Sequence, residues 1–173
     1  MAQLMQSTTR QASLRRLRWV LGWFVVGLVL SGVTAFPLQR EVESLAAARG
    51  VAALGPAQAA SGFDWWILTV RDGLREMYAH HPWIAYGTDW LAFAHLAIAV
   101  FFIGVFVDPV RNVWILWAGL IACAGVIPLA LLGGAVRGIP FGWRLIDCSF
   151  GVFGALPLLY CLSLVRKIET DPS

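Results

Sequence analysis

The chain is long enough for one domain, and its composition is typical of a protein that lies in lipid. Of its 173 residues, 59% are hydrophobic and only 13% are charged, with a formal net charge of +3. An average soluble domain is roughly 25% charged. These values argue against a soluble globular enzyme, a disordered tail and a coiled coil. The small and dispersed positive charge gives no reason to expect a nucleic-acid partner.

Four stretches almost free of charge are long enough to cross a bilayer as helices. About 20 apolar residues, rising 1.5 Å each, span the hydrocarbon core. The predicted spans are residues 19–38, 88–108, 113–136 and 145–165, between a basic N-terminus (1–18) and a tail (166–173). No two-residue alternation occurs, and helices satisfy their own backbone groups in lipid. The sequence therefore predicts an all-α integral membrane four-helix bundle.

Arginines before the first span set the predicted orientation. Arg15, Arg16 and Arg18 lie there without any acidic residue, and the first helix usually dominates the topology. Although Lys and Arg divide almost evenly between the two sides, this cluster favours both termini in the cytoplasm. The alternative is a cleaved secretory signal with its site at residues 33–35, but the apolar run is longer than the usual signal.

The predicted outer loop, residues 39–87, contains an amphipathic helical segment. Residues 41–54 are rich in alanine, Gly55 and Pro56 then interrupt the helix, and Ser61 with Asp64 predicts the start of a second helix. Its apolar residues recur at three- and four-residue steps: Phe63, Trp66, Ile67, Val70, Leu74, Met77 and Tyr78. Its opposite face carries Asp64, Arg71, Asp72, Arg75 and Glu76. Such a helix either lies in the membrane surface or covers the outer end of the bundle.

Five ionisable residues in or beside the spans are the candidate ligand-binding residues. Charged groups in a membrane are costly and point to function by default. Asp89 and Asp147 lie at the outer ends of the second and fourth spans, Arg137 and Arg144 lie in the loop at that level, and His95 lies deeper. The spacing predicts an outer Asp/Arg cluster, which either joins the helices or binds a small anionic ligand.

His95 is the residue that could hold a cofactor, although none is expected. It lies about 9 Å below Asp89 along the helix and on a different face, so its partner is expected from another span, with Asp147, Ser149 and Tyr160 as possibilities. A neutral imidazole bonded to a carbonyl is the common arrangement. A haem held by two histidines of one chain is disfavoured because the spans contain one histidine, whereas a haem shared by two chains stays open. His80 and His81 with a carboxylate offer zinc ligands, but without a recognisable spacing.

The three cysteines, Cys123, Cys148 and Cys161, lie at different depths in the predicted spans. Their depths differ by several turns, so disulfides between them are excluded on geometric grounds. A thiol–disulfide oxidoreductase is excluded for the same reason.

Proline and small residues within the spans predict irregular helices and close packing. Pro128 and Pro157 each lie near the middle of a span, where proline kinks a helix. Small residues suit close helix approach, inside the bundle or in a homodimer. They are Gly119, Ala122 and Gly125 in the third span and Gly151 and Gly154 in the fourth.

Three segments carry a resemblance to a known group. They are residues 86–95 (YGTDWLAFAH), 108–114 (DPVRNVW) and 137–147 (RGIPFGWRLID). Together they resemble an uncharacterised group of small bacterial four-span membrane proteins, over roughly residues 80–168. The resemblance implies a protein of the bacterial inner membrane and implies no activity.

Three functions fit these patterns. The first is binding of a small ligand or a partner through the outer Asp/Arg cluster. The second is an accessory or structural subunit of a membrane complex, and the third is a haem- or metal-dependent redox protein. No nucleophile–base spacing, phosphate loop or internal repeat is present, so no enzyme is identified. The expected partners are the lipid bilayer and either a second copy of the chain or another subunit.

Overall fold

The computed structural model describes residues 2–170, with side chains from residue 10 onward. It is 85% helical, and the described residues contain no strand. Four helical stretches are long and apolar enough to cross a membrane, namely Arg10–Ala35, Pro82–Val107, Val113–Val136 and Phe141–Glu169. The predicted all-α class with four spans is confirmed.

The described residues form eight α-helices. They are α1 (Ala2–Ala35), α2 (Leu38–Ala48), α3 (Gly62–His80), α4 (Pro82–Phe101), α5 (Ile103–Val107), α6 (Val113–Pro128), α7 (Gly134–Val136) and α8 (Phe141–Glu169). A 3₁₀ turn, Pro56–Gln58, precedes α3, and a π-helical turn, Leu129–Gly133, joins α6 to α7. The distortion expected at Pro128 is therefore a π turn, whereas α8 stays helical through Pro157.

The helices extend beyond the stretches that hydropathy marks. α1 has 34 residues, or about 51 Å at 1.5 Å per residue, so the basic N-terminus continues the first span as a helix. The second span begins at Pro82 rather than residue 88, because proline suits the first position of a helix and follows the end of α3. The fourth begins at Phe141, directly after Pro140.

The described chain divides into two compact units. The bundle unit comprises the residues up to Gly27 and from Ile98 onward, and the loop unit is Leu28–Ala97. Within the bundle unit α8 packs against α6. A Cβ atom at Gly151 would lie 2.5 Å from the Cys123 carbonyl oxygen, so the two backbones nearly touch. Glycine at this position permits the close approach that the small residues predict.

The loop unit contains a helical hairpin formed by α2 and α3, which pack against each other. α3 begins as predicted, since the Ser61 hydroxyl accepts a hydrogen bond from the Asp64 amide at 3.1 Å. The end of α1 lies close to α4 in the same unit. A Cβ atom at Gly32 would be 3.0 Å from the Ala92 carbonyl oxygen and from the His95 Cβ.

Candidate functional site

The candidate site lies in the bundle unit, where a tight turn joins α7 to α8. Gly138 adopts a positive φ of 70°, which reverses the chain with little steric cost. Pro140 then sets the entry to α8. This turn carries Arg137 at the end of α7 and places Arg144 in the first turn of α8. Two of the five candidate residues thus lie next to one short loop.

The side chain of Arg144 is held by contacts along its whole length. Its Cγ and Cδ lie against Gly134, where an added Cβ would come within 2.7 and 2.8 Å of them. Its guanidinium carbon lies 5.3 Å from the centre of the Phe141 ring. Its Nη1 donates to the Leu131 carbonyl at 3.2 Å. The guanidinium is therefore positioned before any ligand arrives.

The carbonyl that accepts from Arg144 lies in the π turn. In a π turn the hydrogen bonds run from residue i to i+5 instead of i+4, and such turns are frequent at functional sites. Leu131 lies in the middle of the turn, between Pro128 and Gly133. Its carbonyl oxygen has two lone pairs and accepts the bond from Arg144 Nη1.

Most donors of Arg144 lack an acceptor. A guanidinium has five N–H donors, but the Leu131 carbonyl is the one hydrogen-bond acceptor that Arg144 has among the described residues. Its Nε is buried and has no hydrogen-bond partner there. A buried donor without an acceptor is costly, and this makes Nε a point at which an anion would be stabilised.

Asp147 does not neutralise the arginines of the turn. It is half-buried, one turn after Arg144 in α8, yet the described residues contain no ion pair between it and Arg137 or Arg144. Arg137 is exposed. Asp147 is thus close in sequence to Arg137 and Arg144, but among the described residues it forms no ion pair with either.

Asp89 and His95 belong to the loop unit. Both are half-buried on α4, and Asp89 forms no ion pair within the part of the chain that the structure describes. His95 Nδ1 lies 2.9 Å from the Leu91 carbonyl oxygen, one turn earlier. A carbonyl is the partner that was expected for a neutral imidazole, but it belongs to α4 itself and not to another span as predicted. The joint cluster of Asp89 with Arg137, Arg144 and Asp147 stays a prediction.

The cysteines and the remaining histidines give no metal-ligand set. Between residues 2 and 170 the structure contains no group of three or more His, Cys, Asp or Glu side chains suited to a metal ion. His80 Nδ1 lies 3.2 Å from the Glu76 carbonyl oxygen, and the rings of His80 and His81 are 6.4 Å apart. All three cysteines are free thiols.

The helical hairpin holds a network of charges that the sequence pattern did not reveal. Arg49 Nε lies 2.9 Å from Asp64 Oδ1, and Arg75 Nε lies 2.9 Å from Glu43 Oε1. The hydrogen bonds from Arg49 and then Ser61 lower the pKa of Asp64, and the hydrogen bond to Asp64 raises the pKa of Arg49. The hydrogen bond from Arg75, and next that from Gln39, lowers the pKa of Glu43.

Arg71 closes the hairpin over the turn that precedes α3. Only 4% of its surface is exposed. Its Nη1 and Nη2 donate to the carbonyls of Ala52 and Leu54, both at 2.8 Å, and its Nε donates to Asp72. Two members of the polar face of α3, Asp64 and Arg71, are thereby buried, because they bond to groups far away in the sequence. No spacing within α3 indicates those partners.

Comparison with known proteins adds no family. No family model matches the chain, and neither a curated protein nor a solved structure matches it. The resemblance to small bacterial four-span membrane proteins stays a prediction.

Proposed function

We propose that this multi-pass membrane protein binds a small ligand with an anionic group at the α7–α8 turn. Arg144 is the principal binding residue and Arg137 supports it. The observation that carries the proposal is the guanidinium of Arg144, which is held by Gly134, Phe141 and Leu131 while its buried Nε lacks an acceptor. No chemical step is assigned to the site.

A carboxylate or phosphate matches the free edge of this guanidinium. Such groups accept two parallel N–H bonds from arginine, and charge-assisted bonds of this kind are roughly twice as strong as neutral ones. The ligand would bind on the Nε–Nη2 side, because Nη1 already bonds to Leu131, and it would meet Nη2 first because Nε is buried. Arg137, exposed at the end of α7, adds positive charge that attracts an anion to the turn.

Asp147 gives the site a preference among anions. Its carboxylate lies one helical turn after Arg144 and repels a fully charged anion, but it accepts a hydrogen bond from a ligand hydroxyl or ammonium group. A ligand that carries a donor beside its anionic group is therefore favoured over a simple anion.

The orientation that accompanies this proposal places the turn outside and both termini in the cytoplasm of a bacterial cell. The arginines before the first span, without acidic neighbours, support it. Arg18 Nε bonds to the Phe106 carbonyl and the Cys161 thiol lies 3.9 Å from the Leu17 carbonyl. These contacts group the start of the first span with the ends of the second and fourth. A C-terminal tag that proteases reach in sealed right-side-out vesicles would contradict the orientation.

Binding of an amphiphilic anion to purified protein tests the site. The full chain in neutral detergent is titrated with dodecyl phosphate, with dodecanol as the uncharged blank, and the affinity is measured by calorimetry. Arg144→Gln should lower the affinity by at least about tenfold, since hydrogen bonds to a charged group contribute roughly 1.5–3 kcal/mol. Arg144→Lys keeps the positive charge but lacks the planar guanidinium. Its affinity for dodecyl phosphate should lie between those of the unmodified protein and Arg144→Gln.

Arg166→Gln is the matched control, because it removes the same charge from the other end of α8, where Arg166 is exposed. Its affinity for dodecyl phosphate should equal that of the unmodified protein. Equal losses in Arg144→Gln and Arg166→Gln would mean that overall charge governs binding. The proposed site would then be wrong.

A further inference from the structure

The basic start of α1 carries cations that form no ion pair with any described residue. Every ion pair among the described residues lies in the loop unit, on Arg49, Arg71 and Arg75. In the bundle unit, Arg15 and Arg18 precede the first span and neither contacts a described carboxylate. A surface that keeps such charges near a membrane is suited to an external anion.

Arg15 and Arg18 lie side by side on one face of α1. Residues three apart in a helix are neighbours, with a rise of about 4.5 Å between them. They line an open groove of about 420 Å³ together with Gln11, Ala12 and Leu14. A smaller recess of about 280 Å³ is lined by the same two arginines and Trp19. The two arginines are thus common to both recesses.

The guanidinium of Arg18 is fixed by a backbone carbonyl. Its Nε donates to the Phe106 carbonyl at 3.1 Å, where the second span ends. Since Nε is the one donor of Arg18 that has an acceptor among the described residues, both Nη atoms are available to a ligand. Arg15 forms no hydrogen bond within the described residues and is free to turn toward the same anion. The pair can therefore hold one phosphate group with little reorganisation.

Two exposed tryptophans, Trp19 and Trp23, follow the arginines along α1 toward its apolar part. Arg15, Trp19 and Trp23 are four residues apart, so they lie on one face of the helix. Trp19 and Trp23 are 67% and 71% exposed. Tryptophan favours the headgroup level of a bilayer, and these two rings offer an apolar surface for an acyl chain. Inorganic phosphate has no apolar part that could contact that surface.

We infer that the stretch of α1 that carries Gln11, Arg15, Arg18, Trp19 and Trp23 is a binding site for an anionic phospholipid. Arg15 and Arg18 hold the phosphate of the headgroup, Gln11 contacts its polar substituent, and Trp19 and Trp23 contact an acyl chain. The site is separate from the α7–α8 turn, because the two regions lie at opposite ends of the spans. Its failure would leave the proposed function untouched.

Lipid binding in neutral detergent separates this site from general surface charge. The full chain is titrated with phosphatidylglycerol, and bound lipid is counted by native mass spectrometry, with phosphatidylcholine as the zwitterionic blank. The double variant Arg15→Gln/Arg18→Gln should weaken phosphatidylglycerol binding by about 25-fold, at about fivefold for each arginine near an anionic headgroup. Phosphatidylcholine should bind weakly to both proteins.

The double variant Arg10→Gln/Arg16→Gln is the matched control, because it removes the same charge from exposed positions that do not line the groove. It should weaken binding less than about fivefold. Equal losses in the two double variants would overturn the site in favour of diffuse charge. Displacement of phosphatidylglycerol by millimolar inorganic phosphate would show a phosphate site instead of a lipid site.

A measurement on the unmodified protein covers the case in which the groove variant does not fold. Phenylglyoxal modifies accessible guanidinium groups, and the modified positions are read by peptide mass spectrometry. Phosphatidylglycerol should protect Arg15 and Arg18 from modification and leave Arg16 reactive. Equal protection of all three arginines, or none, would contradict the site.

Discussion

A methyl group added at Gly151 tests the close contact between α6 and α8. An ideal Cβ there would lie 2.5 Å from the Cys123 carbonyl oxygen and 3.3 Å from the Val126 Cβ. Both atoms belong to or adjoin the backbone of α6, so neither can turn aside. Ordinary contacts begin at 3.4 Å, and Gly151→Ala therefore requires the helices to separate by about 0.9 Å at this point.

The free-energy cost of separating the helices should exceed the gain from the higher helix propensity of alanine. Overpacking costs typically 1–3 kcal/mol, and the collision with backbone at Gly151 favours the upper part of that range. Alanine in a helix interior returns up to about 1 kcal/mol relative to glycine. The net loss in the free energy of unfolding is about 2 kcal/mol, which corresponds to a Tm lower by roughly 4–8 °C for a chain of this size.

Gly125→Ala is the control for this substitution. Gly125 lies in α6, the partner helix, and an added Cβ there would meet nothing within 4 Å. Its Tm, measured by thermal unfolding in the same detergent, should equal or exceed that of the unmodified protein. A Gly151→Ala protein as stable as Gly125→Ala would refute the close backbone contact.

Two further predictions concern the helical hairpin of the loop unit. Arg71→Met should raise hydrogen exchange at residues 51–54 by about tenfold or more, because an unpaired buried acceptor costs about 1–3 kcal/mol. The control variant Arg40→Met, at an exposed position, should leave this exchange unchanged. Equal exchange in both variants would contradict the role of Arg71. Because the pKa values of Asp64 and Glu43 are lowered in the folded hairpin, their stabilisation is complete above the ordinary pKa of a carboxylic acid. It is lost as the pH falls through the lowered values. Exchange in the hairpin, corrected for intrinsic rates, should therefore rise in acid, and Asp64→Asn should reduce that rise.

The spans were predictable because burial in lipid depends on local composition. A run of about 20 apolar residues is stable in a bilayer as a helix, whatever its neighbours are. The ends were less predictable, since they depend on single residues. Pro82 and Pro140 place the starts of α4 and α8 several residues before the apolar runs suggest.

The candidate site was predictable in part. Arg144 was a candidate because an ionisable group near a span is costly and needs a reason. Its fixed position was not predictable, because it depends on Gly134 and on the Leu131 carbonyl, 10 and 13 residues earlier in the chain. The π turn that contains this carbonyl follows Pro128, but proline alone predicts only a distortion.

In the hairpin, α3 forms as predicted, but the burial of its residues differs from what its sequence pattern suggests. Asp64 and Arg71, which were predicted on the polar face of α3, are among its most buried residues, whereas Phe63 of the predicted apolar face is exposed. Their partners are Arg49 and the carbonyls of Ala52 and Leu54, which lie 15 to 19 residues away. Helical periodicity describes one helix and contains no information about these pairs.

The amino-acid sequence by itself determined the helical class, the four spans and the set of ionisable residues beside them. Each follows from a property of a short segment, its hydropathy or its charge, that does not depend on distant residues. Only the tertiary structure decided which arginines are neutralised and which keep free donors. Arg49, Arg71 and Arg75 are paired with carboxylates in the loop unit, whereas Arg18 and Arg144 each donate to a backbone carbonyl without an ion pair among the described residues. That division depends on contacts between segments far apart in the chain, since the strength of a charged group's interactions falls with distance and with exposure to water.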